Sequence, residues 1–216
     1  MVTVGVTFHT KTSLSDLKSS DAKLSMNVTG LACSPATSCT MPVTGTIKVQ
    51  DFEWPATLGA GVAVKAAEGL MIAADVKRIS WSDVMKNFKM HFVADNSAAN
   101  TAAGFAGANL DAKLFQNWDD QTVIALGGSY KVDPAWTVRL GYNHASNPIP
   151  DTYLNALFPA IEETHVTAGV GYEISKASSI DFSLTDGLEK KATNSQNQVA
   201  STMSQLNWQF MYSYRY

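Results

Sequence analysis

The last eleven residues of the chain alternate between large apolar side chains and mostly polar ones. The apolar set is Leu206, Trp208, Phe210, Tyr212, Tyr214 and Tyr216, and the residues between them are Asn207, Gln209, Met211, Ser213 and Arg215. Because successive side chains of a β-strand point to opposite faces, this pattern predicts a strand with one aromatic-rich face and one wet face.

The same two-residue period recurs along the chain. It predicts strands over residues 2–8, 123–130, 136–143, 165–174 and 180–185. Weaker patterns predict a long strand from about 44 to 65, bent at Pro55, and another from about 69 to 93. The second is taller than the apolar band of a membrane, so it either projects beyond the membrane or breaks near 80–83. The count is eight strands, or ten if both long strands break.

The predicted connections are of two kinds. Short turns fall at 66–68, 132–135 and 175–177, whereas long polar segments fall at about 16–43, 94–120, 146–164 and 187–202. With eight strands, all the long segments lie at one end of the sheet and all the short turns at the other. Short periplasmic turns and long extracellular loops produce this asymmetry, so we expect one outer-membrane barrel domain over residues 1–216.

Composition favours the same medium. Only 16% of the residues are charged while 45% are hydrophobic, which is little charge for a soluble domain. No run of 18 apolar residues exists, so a spanning segment has to be a strand rather than a helix. The net charge of -3 offers no basic footprint, and nucleic acid is therefore not an expected partner.

The direction of the apolar face distinguishes a membrane barrel from a soluble one. Tyrosines and tryptophans lie towards predicted strand ends, where interfacial belts of a membrane protein occur. The other face mixes glycines with isolated charges such as Arg139, Glu173 and Asp181, which suits a hydrated lumen. We therefore expect the apolar face to point outward into lipid, with a soluble lipocalin-like barrel as the alternative.

One stretch of the chain is more specific than its periodicity. Residues 136–151 end in Asn147-Pro148-Ile149-Pro150-Asp151, and Pro159, His165 and Ala168-Gly-Val-Gly-Tyr172 follow. This region resembles the C-terminal part of the FadL/TodX family of outer-membrane transporters of long-chain fatty acids and hydrocarbons. The order of the other segments also fits, so the resemblance extends over nearly the whole chain.

The resemblance implies a fourteen-stranded, monomeric barrel with an N-terminal hatch, which passes hydrophobic molecules inward by diffusion. The chain looks like only the last eight strands of such a protein, without hatch or signal peptide, so we expect either N-terminal truncation or closure into a small barrel. The expected function is passive transport of fatty acids or hydrocarbons across the bacterial outer membrane, amid outer-membrane lipid and lipopolysaccharide. The alternative is a structural or adhesive barrel that displays surface loops.

Parity along the strands selects candidate ligand contacts inside the barrel. Arg139 and Asn143, with Glu173, Asp181, Arg215 and Asp75, project inward, and His165 lies inward near the extracellular end. His165 is a candidate for binding a ligand head group, and Arg139 for binding a carboxylate in two-point contact. The competing interpretation is a lumen network of paired charges, with His165 simply hydrated or hydrogen-bonded.

A second candidate region surrounds the segment 94–120. Large apolar residues there, among them Phe88, Phe92, Phe105 and Phe115, could form a landing groove for a greasy ligand at the cell surface. The alternative is that they pack the loop onto the barrel rim.

Cysteine and histidine positions argue against cofactor chemistry. Cys33 and Cys39 lie in a Ser, Pro and Thr-rich segment, and in an exported protein we expect them to form a disulfide, with a free or metal-binding pair as the alternative. The histidines, at positions 9, 91, 144 and 165, lack the spacing of a metal pair, so we expect no metal and no cofactor. No nucleophile elbow, P-loop or dinucleotide motif occurs, and an enzyme is not expected, although an outer-membrane lipase is an open alternative.

Overall fold

The computed structural model describes residues 1–29 and 38–216, and it is built from antiparallel strands. Two short helices, α1 (Trp81–Val84) and α2 (Ala98–Ala102), and a 3-10 turn (Asp151–Tyr153) interrupt them. The strands are β1 (Val2–His9), β2 (Thr12–Ser13), β3 (Leu17–Thr29), β4 (Ser38–Gln50), β5 (Glu53–Trp54), β6 (Thr57–Ala67), β7 (Leu70–Ile79), β8 (Asn87–Ala94), β9 (Asn109–Phe115), β10 (Gln121–Lys131), β11 (Trp136–Ala145), β12 (Thr164–Glu173), β13 (Ser178–Thr193) and β14 (Ala200–Tyr214).

The chain divides into two compact units. Unit 1 contains residues 1–11, 55–85 and 116–216, and unit 2 contains residues 12–54 and 86–115. In unit 1, eight strands form one antiparallel sheet in the order β1-β6-β7-β10-β11-β12-β13-β14. The predicted all-β, antiparallel architecture is confirmed, and eight of the fourteen strands in the described residues belong to this sheet.

Strand register gives this sheet two chemically different faces. One unbroken cross-strand row runs Val4, Val62, Ala74, Leu126, Tyr142, Val166, Asp186 and Leu206. We call this side the outer face. The next row along the strands runs Gly5, Gly61, Asp75, Ala125, Asn143, His165, Gly187 and Gln205, on the opposite side, which we call the inner face.

The outer face exposes bulky apolar side chains. Leu140 and Trp208 are 70% and 71% exposed, and Trp136 packs on Tyr172 with ring centroids 4.6 Å apart at the short-turn end. Burying so many apolar groups in lipid rather than water is favourable by roughly 25 cal/mol per Å². The predicted outward direction of the alternate apolar residues therefore fits a wall that faces hydrocarbon.

Unit 2 contains a four-stranded sheet in the order β3-β4-β8-β9 and the two-stranded pair β2-β5. Its small core is formed by Val43, Phe92 and Ala94, with Ala22, Leu24, Ile47 and Phe105 packed against them. The side chain of Asn100, in the middle of α2, is buried, and its Nδ2 donates to the carbonyl oxygens of Thr44 and Asp95 and to the Asp95 carboxylate.

Three of the expected long connections contain strands. Segment 16–43 is largely the strand β3 and the beginning of β4, and segment 94–120 contains α2 and β9. Segment 187–202 shrinks to 194–199, because β13 runs to Thr193 and β14 begins at Ala200. Segment 146–163 does connect β11 to β12, and the predicted break near 80–83 is α1. The extracellular location of these segments and the single barrel domain stay predictions.

No helix among residues 1–29 and 38–216 is long and apolar enough to cross a membrane.

Candidate functional site

Two hollows lie on the inner face of unit 1, and the first extends over β1, β6 and β7 to β10 and β11. Gly5, Gly59 and Gly61 leave a stretch of bare backbone, and the hollow above them has a volume of about 460 Å³. The Asp75 carboxylate lies over Gly61, where a Cβ atom would collide with it. The other polar side chains of this hollow are Thr3, Thr7, Lys77 and Asn143.

The second hollow, of about 400 Å³, lies over β11 to β14 and contains Arg139. Arg139 Nη1 donates to Asp181 Oδ1 at 2.7 Å, although these residues belong to β11 and β13, on either side of β12. The pair crosses β12 above Gly171, where a Cβ would approach Asp181 Oδ1 to 2.5 Å and Arg139 Nη1 to 2.9 Å. Glycine at 171 is therefore what allows the ion pair to form.

Asn143 and His165 face each other across β11 and β12 in the inner row. Arg139 lies four residues from Asn143 on the same strand, which corresponds to about 13 Å. The structure thus brings two of the three predicted inner contacts together and places Arg139 further along the wall, beside the second hollow.

His165 belongs to a polar cluster near the end of the sheet where β12 begins. Its Nε2 atom lies 3.3 Å from Gln205 Nε2 and 3.7 Å from Glu162 Oε2. The Glu162 side chain is buried, and its Oε1 atom has no hydrogen-bond partner among the described residues. Gly187 makes room for this cluster, since a Cβ there would approach Gln205 Cγ to 2.9 Å.

The start of β10 is anchored by Asp120. The Ser82 hydroxyl and backbone N–H both donate to Asp120 Oδ1, and Arg78 Nη2 lies 3.1 Å from Oδ2. These hydrogen bonds, with the Arg78 charge, hold the pKa of the Asp120 carboxyl below its usual value. The anchor fixes the segment that carries Trp81, whose ring meets Trp118 edge to face at 5.2 Å.

The four phenylalanines of the expected landing groove have different environments within unit 2. Phe92 is only 4% exposed and Phe105 packs against the core that contains it, so both rings take part in the packing of unit 2 itself. Phe88 is half-buried beside Phe52, with centroids 6.3 Å apart. Phe115 is 60% exposed, and Lys113 Nζ lies 5.0 Å from its ring centre.

Sequence reasoning did not find the glycine-lined hollow or the role of Gly171. The available signal was the spacing Gly59-Ala-Gly61 on a predicted strand, since isolated glycines in strands mark close approaches of other groups. The Cys33 and Cys39 pair lies outside the residues whose side chains the structure describes. In the described ranges, no group of three or more His, Cys, Asp or Glu residues is arranged to hold a metal ion.

Comparison with known proteins gives one family and a set of solved structures. The family model described as "Outer membrane protein transport protein (OMPP1/FadL/TodX)" matches residues 1–214. No curated protein sequence matches the chain.

The similar structures include two toluene transporters. Pseudomonas putida TodX is 28% identical with a TM-score of 0.74, and Ralstonia pickettii TbuX is 30% identical with a TM-score of 0.73. All of this chain is covered in both, against 46% and 44% of those chains. A Pseudomonas aeruginosa FadL homologue, 16% identical over 98% of this chain and 47% of its own, has a TM-score of 0.60 and shares the fold. The chain thus spans less than half the length of these proteins.

Proposed function

The chain belongs to the outer-membrane transport protein family OMPP1/FadL/TodX, and from that membership we propose that it forms part of a β-barrel through which hydrophobic compounds cross the bacterial outer membrane by diffusion. The observation that carries the proposal is the two-faced sheet of unit 1, with bulky apolar residues outside and two hollows inside. Such a wall offers lipid contact on one side and a path for solute on the other. No covalent chemistry is needed, because transport follows the concentration gradient.

Small uncharged hydrocarbons are the substrate class that the inner face supports best. Arg139, the predicted carboxylate contact, already engages Asp181 at 2.7 Å, so a fatty-acid carboxylate would have to compete with that ion pair. The similar structures TodX and TbuX are described as toluene transporters. Long-chain fatty acids are the alternative substrate of the same conduit.

We assign to the path those candidate residues that do not belong to the core of unit 2. On the inner face these are Asn143 and His165, directly opposite each other, and Arg139 at the second hollow. At the surface of unit 2 they are Phe88 and Phe115. The barrel works as a monomer surrounded by outer-membrane lipid and lipopolysaccharide.

Filling the first hollow tests the transport path. An added Cβ at Gly5 meets no atom within 4 Å, so Gly5→Leu is expected to occupy the hollow without distorting the strand. Uptake of radiolabelled toluene, at limiting concentration, is measured in cells that express the protein and lack other such channels. We expect uptake to fall several-fold.

The matched control is Val4→Leu, the neighbouring residue on the outer face. It should leave uptake unchanged, and both variants should migrate in the folded, heat-modifiable form on gels. Equal uptake by Gly5→Leu and the parent protein would remove the hollow from the path, and no toluene or fatty-acid uptake by the parent would favour a structural or adhesive barrel.

A further inference from the structure

One face of the four-stranded sheet in unit 2 sets lysines directly against lysines. Lys18 of β3 pairs in register with Lys48 of β4, and Lys89 of β8 pairs with Lys113 of β9. Like charges at directly opposed positions of neighbouring strands are destabilising. Two such pairs in one small sheet therefore call for a compensating negative charge.

The four lysines lie on the same face and in adjacent rows. Lys48 is also in register with His91, and the next row along contains Gln50, Lys89 and Lys113. Strands lie about 4.8 Å apart and same-face residues of one strand about 7 Å apart. The ammonium groups therefore cluster over an area of roughly 15 by 7 Å, which we call the lysine patch.

Carboxylates neutralise only part of the lysine patch. Asp51 Oδ2 lies 2.7 Å from Lys89 Nζ, and Asp111 Oδ1 lies 2.6 Å from His91 Nδ1. Lys18 and Lys113 are exposed and Lys48 is half-buried. Four lysines against these two aspartates leave an excess of positive charge that is open to solvent.

We propose that the lysine patch binds the phosphate groups of lipopolysaccharide in the outer leaflet of the outer membrane. Lysine is an effective point-charge partner for phosphate, and clusters of basic side chains are attracted to an anionic lipid surface. Both segments of unit 2 connect strand ends at one end of the unit 1 sheet, from His9 to Thr57 and from Ile79 to Gln121. That is the end where the sequence predicts extracellular loops, the side on which lipopolysaccharide lies.

This inference rests on the outer-membrane location and on the predicted extracellular side, not on the transported compound, so it can fail while the transport proposal stands. The test uses the full chain in detergent and purified lipopolysaccharide as the probe, with binding measured by biolayer interferometry at low and high salt. The variant is the quadruple Lys18→Gln, Lys48→Gln, Lys89→Gln, Lys113→Gln. Its affinity should fall about tenfold or more at low salt.

Three comparisons make the result specific. Lys131→Gln with Lys176→Gln, at the short-turn end of unit 1, should bind as the parent does. Lipopolysaccharide stripped of phosphate should bind the parent as weakly as the quadruple variant binds the intact lipid. Because the substitutions remove charge repulsion, the urea midpoint of the quadruple variant should equal or exceed that of the parent.

Unchanged affinity of a folded quadruple variant would overturn the proposal. So would undiminished binding of the dephosphorylated lipid, which would indicate contact through acyl chains or sugars. Competition by inorganic phosphate at concentrations matched to the lipid phosphate would instead indicate a general anion site and would equally overturn the assignment to lipopolysaccharide.

Discussion

At the level of single residues, two glycines of the inner face act by leaving space for charged side chains. Gly171 lies under the Arg139–Asp181 pair, and Gly61 lies under the Asp75 carboxylate. In both cases the group that fills the space comes from another strand. A glycine in such a strand costs intrinsic stability and makes a cross-strand contact possible in return.

The substitution Gly171→Ala should therefore destabilise the sheet. A Cβ there would come within 2.5 Å of Asp181 Oδ1 and 2.9 Å of Arg139 Nη1, so the ion pair has to shift or break. We expect a loss of about 1 to 2 kcal/mol in the free energy of unfolding, measured by urea titration of the lipid-reconstituted protein.

Gly127→Ala is the matched control, since it lies on the inner face of β10 and its added Cβ has no neighbour closer than 3.8 Å. This variant should be as stable as the parent or slightly more so, because alanine restricts the unfolded chain. Equal effects of the two alanines would mean that the ion pair contributes nothing.

At the level of secondary-structure elements, the strands that sequence reasoning identified are those with uninterrupted alternation. β14 and β11 have it because one face meets apolar surroundings and the other does not. β3 was missed because its register shifts between Ser19 and Ala22, which displaces the apolar residues to the wrong parity. The C-terminal half of β13 was missed for the same reason, since its register with β14 shifts between Gly187 and Lys190. A bulge hides a strand from any pattern with a strict period of two.

For the candidate site, the face on which each residue lies was predictable from the sequence, but the contacts of its side chain were not. Parity alone assigned Arg139, Asn143 and His165 to one face, and the register agrees. Parity gives no information on contacts between residues of non-adjacent strands. Only the structure shows that Arg139 pairs with Asp181 and that Phe105 packs against the core that contains Phe92.

The sheet of unit 2 allows two of its phenylalanines to be separated by experiment. Phe92 is in the core formed with Val43 and Ala94, so Phe92→Ala should cost about 3 to 5 kcal/mol of unfolding free energy. Phe115→Ala, at an exposed position, should cost less than about 0.5 kcal/mol. Proteolysis of the folded protein, followed at the peptide bonds of residues 86–115, measures both. A similar loss of resistance in the two variants would contradict this core.

At the level of the whole molecule, the proposed solute path depends on which face of the unit 1 sheet contacts lipid. Phe210 and Gln209 are neighbours on β14, one on the outer face and one on the inner face. Phe210→Lys should lower the free energy of unfolding in lipid by about 2 to 4 kcal/mol, because a charge at the lipid face has to be desolvated. Gln209→Lys should change it by less than about 1 kcal/mol, because that side is hydrated.

Unfolding titrations in vesicles of defined thickness measure both lysine variants. A larger loss for Gln209→Lys than for Phe210→Lys would reverse the two faces. It would then exclude the hollows over Gly61 and beside Arg139 from a solute path.

The Arg139–Asp181 ion pair also couples three neighbouring strands of the unit 1 sheet. The pair links β11 to β13 across β12. The middle strand is therefore held by its backbone hydrogen bonds and also by an ion pair between its two neighbours. The ion pair has to break before β12 can separate from the sheet. We therefore expect the amide hydrogens of β11, β12 and β13 to exchange together, as one cooperative unit.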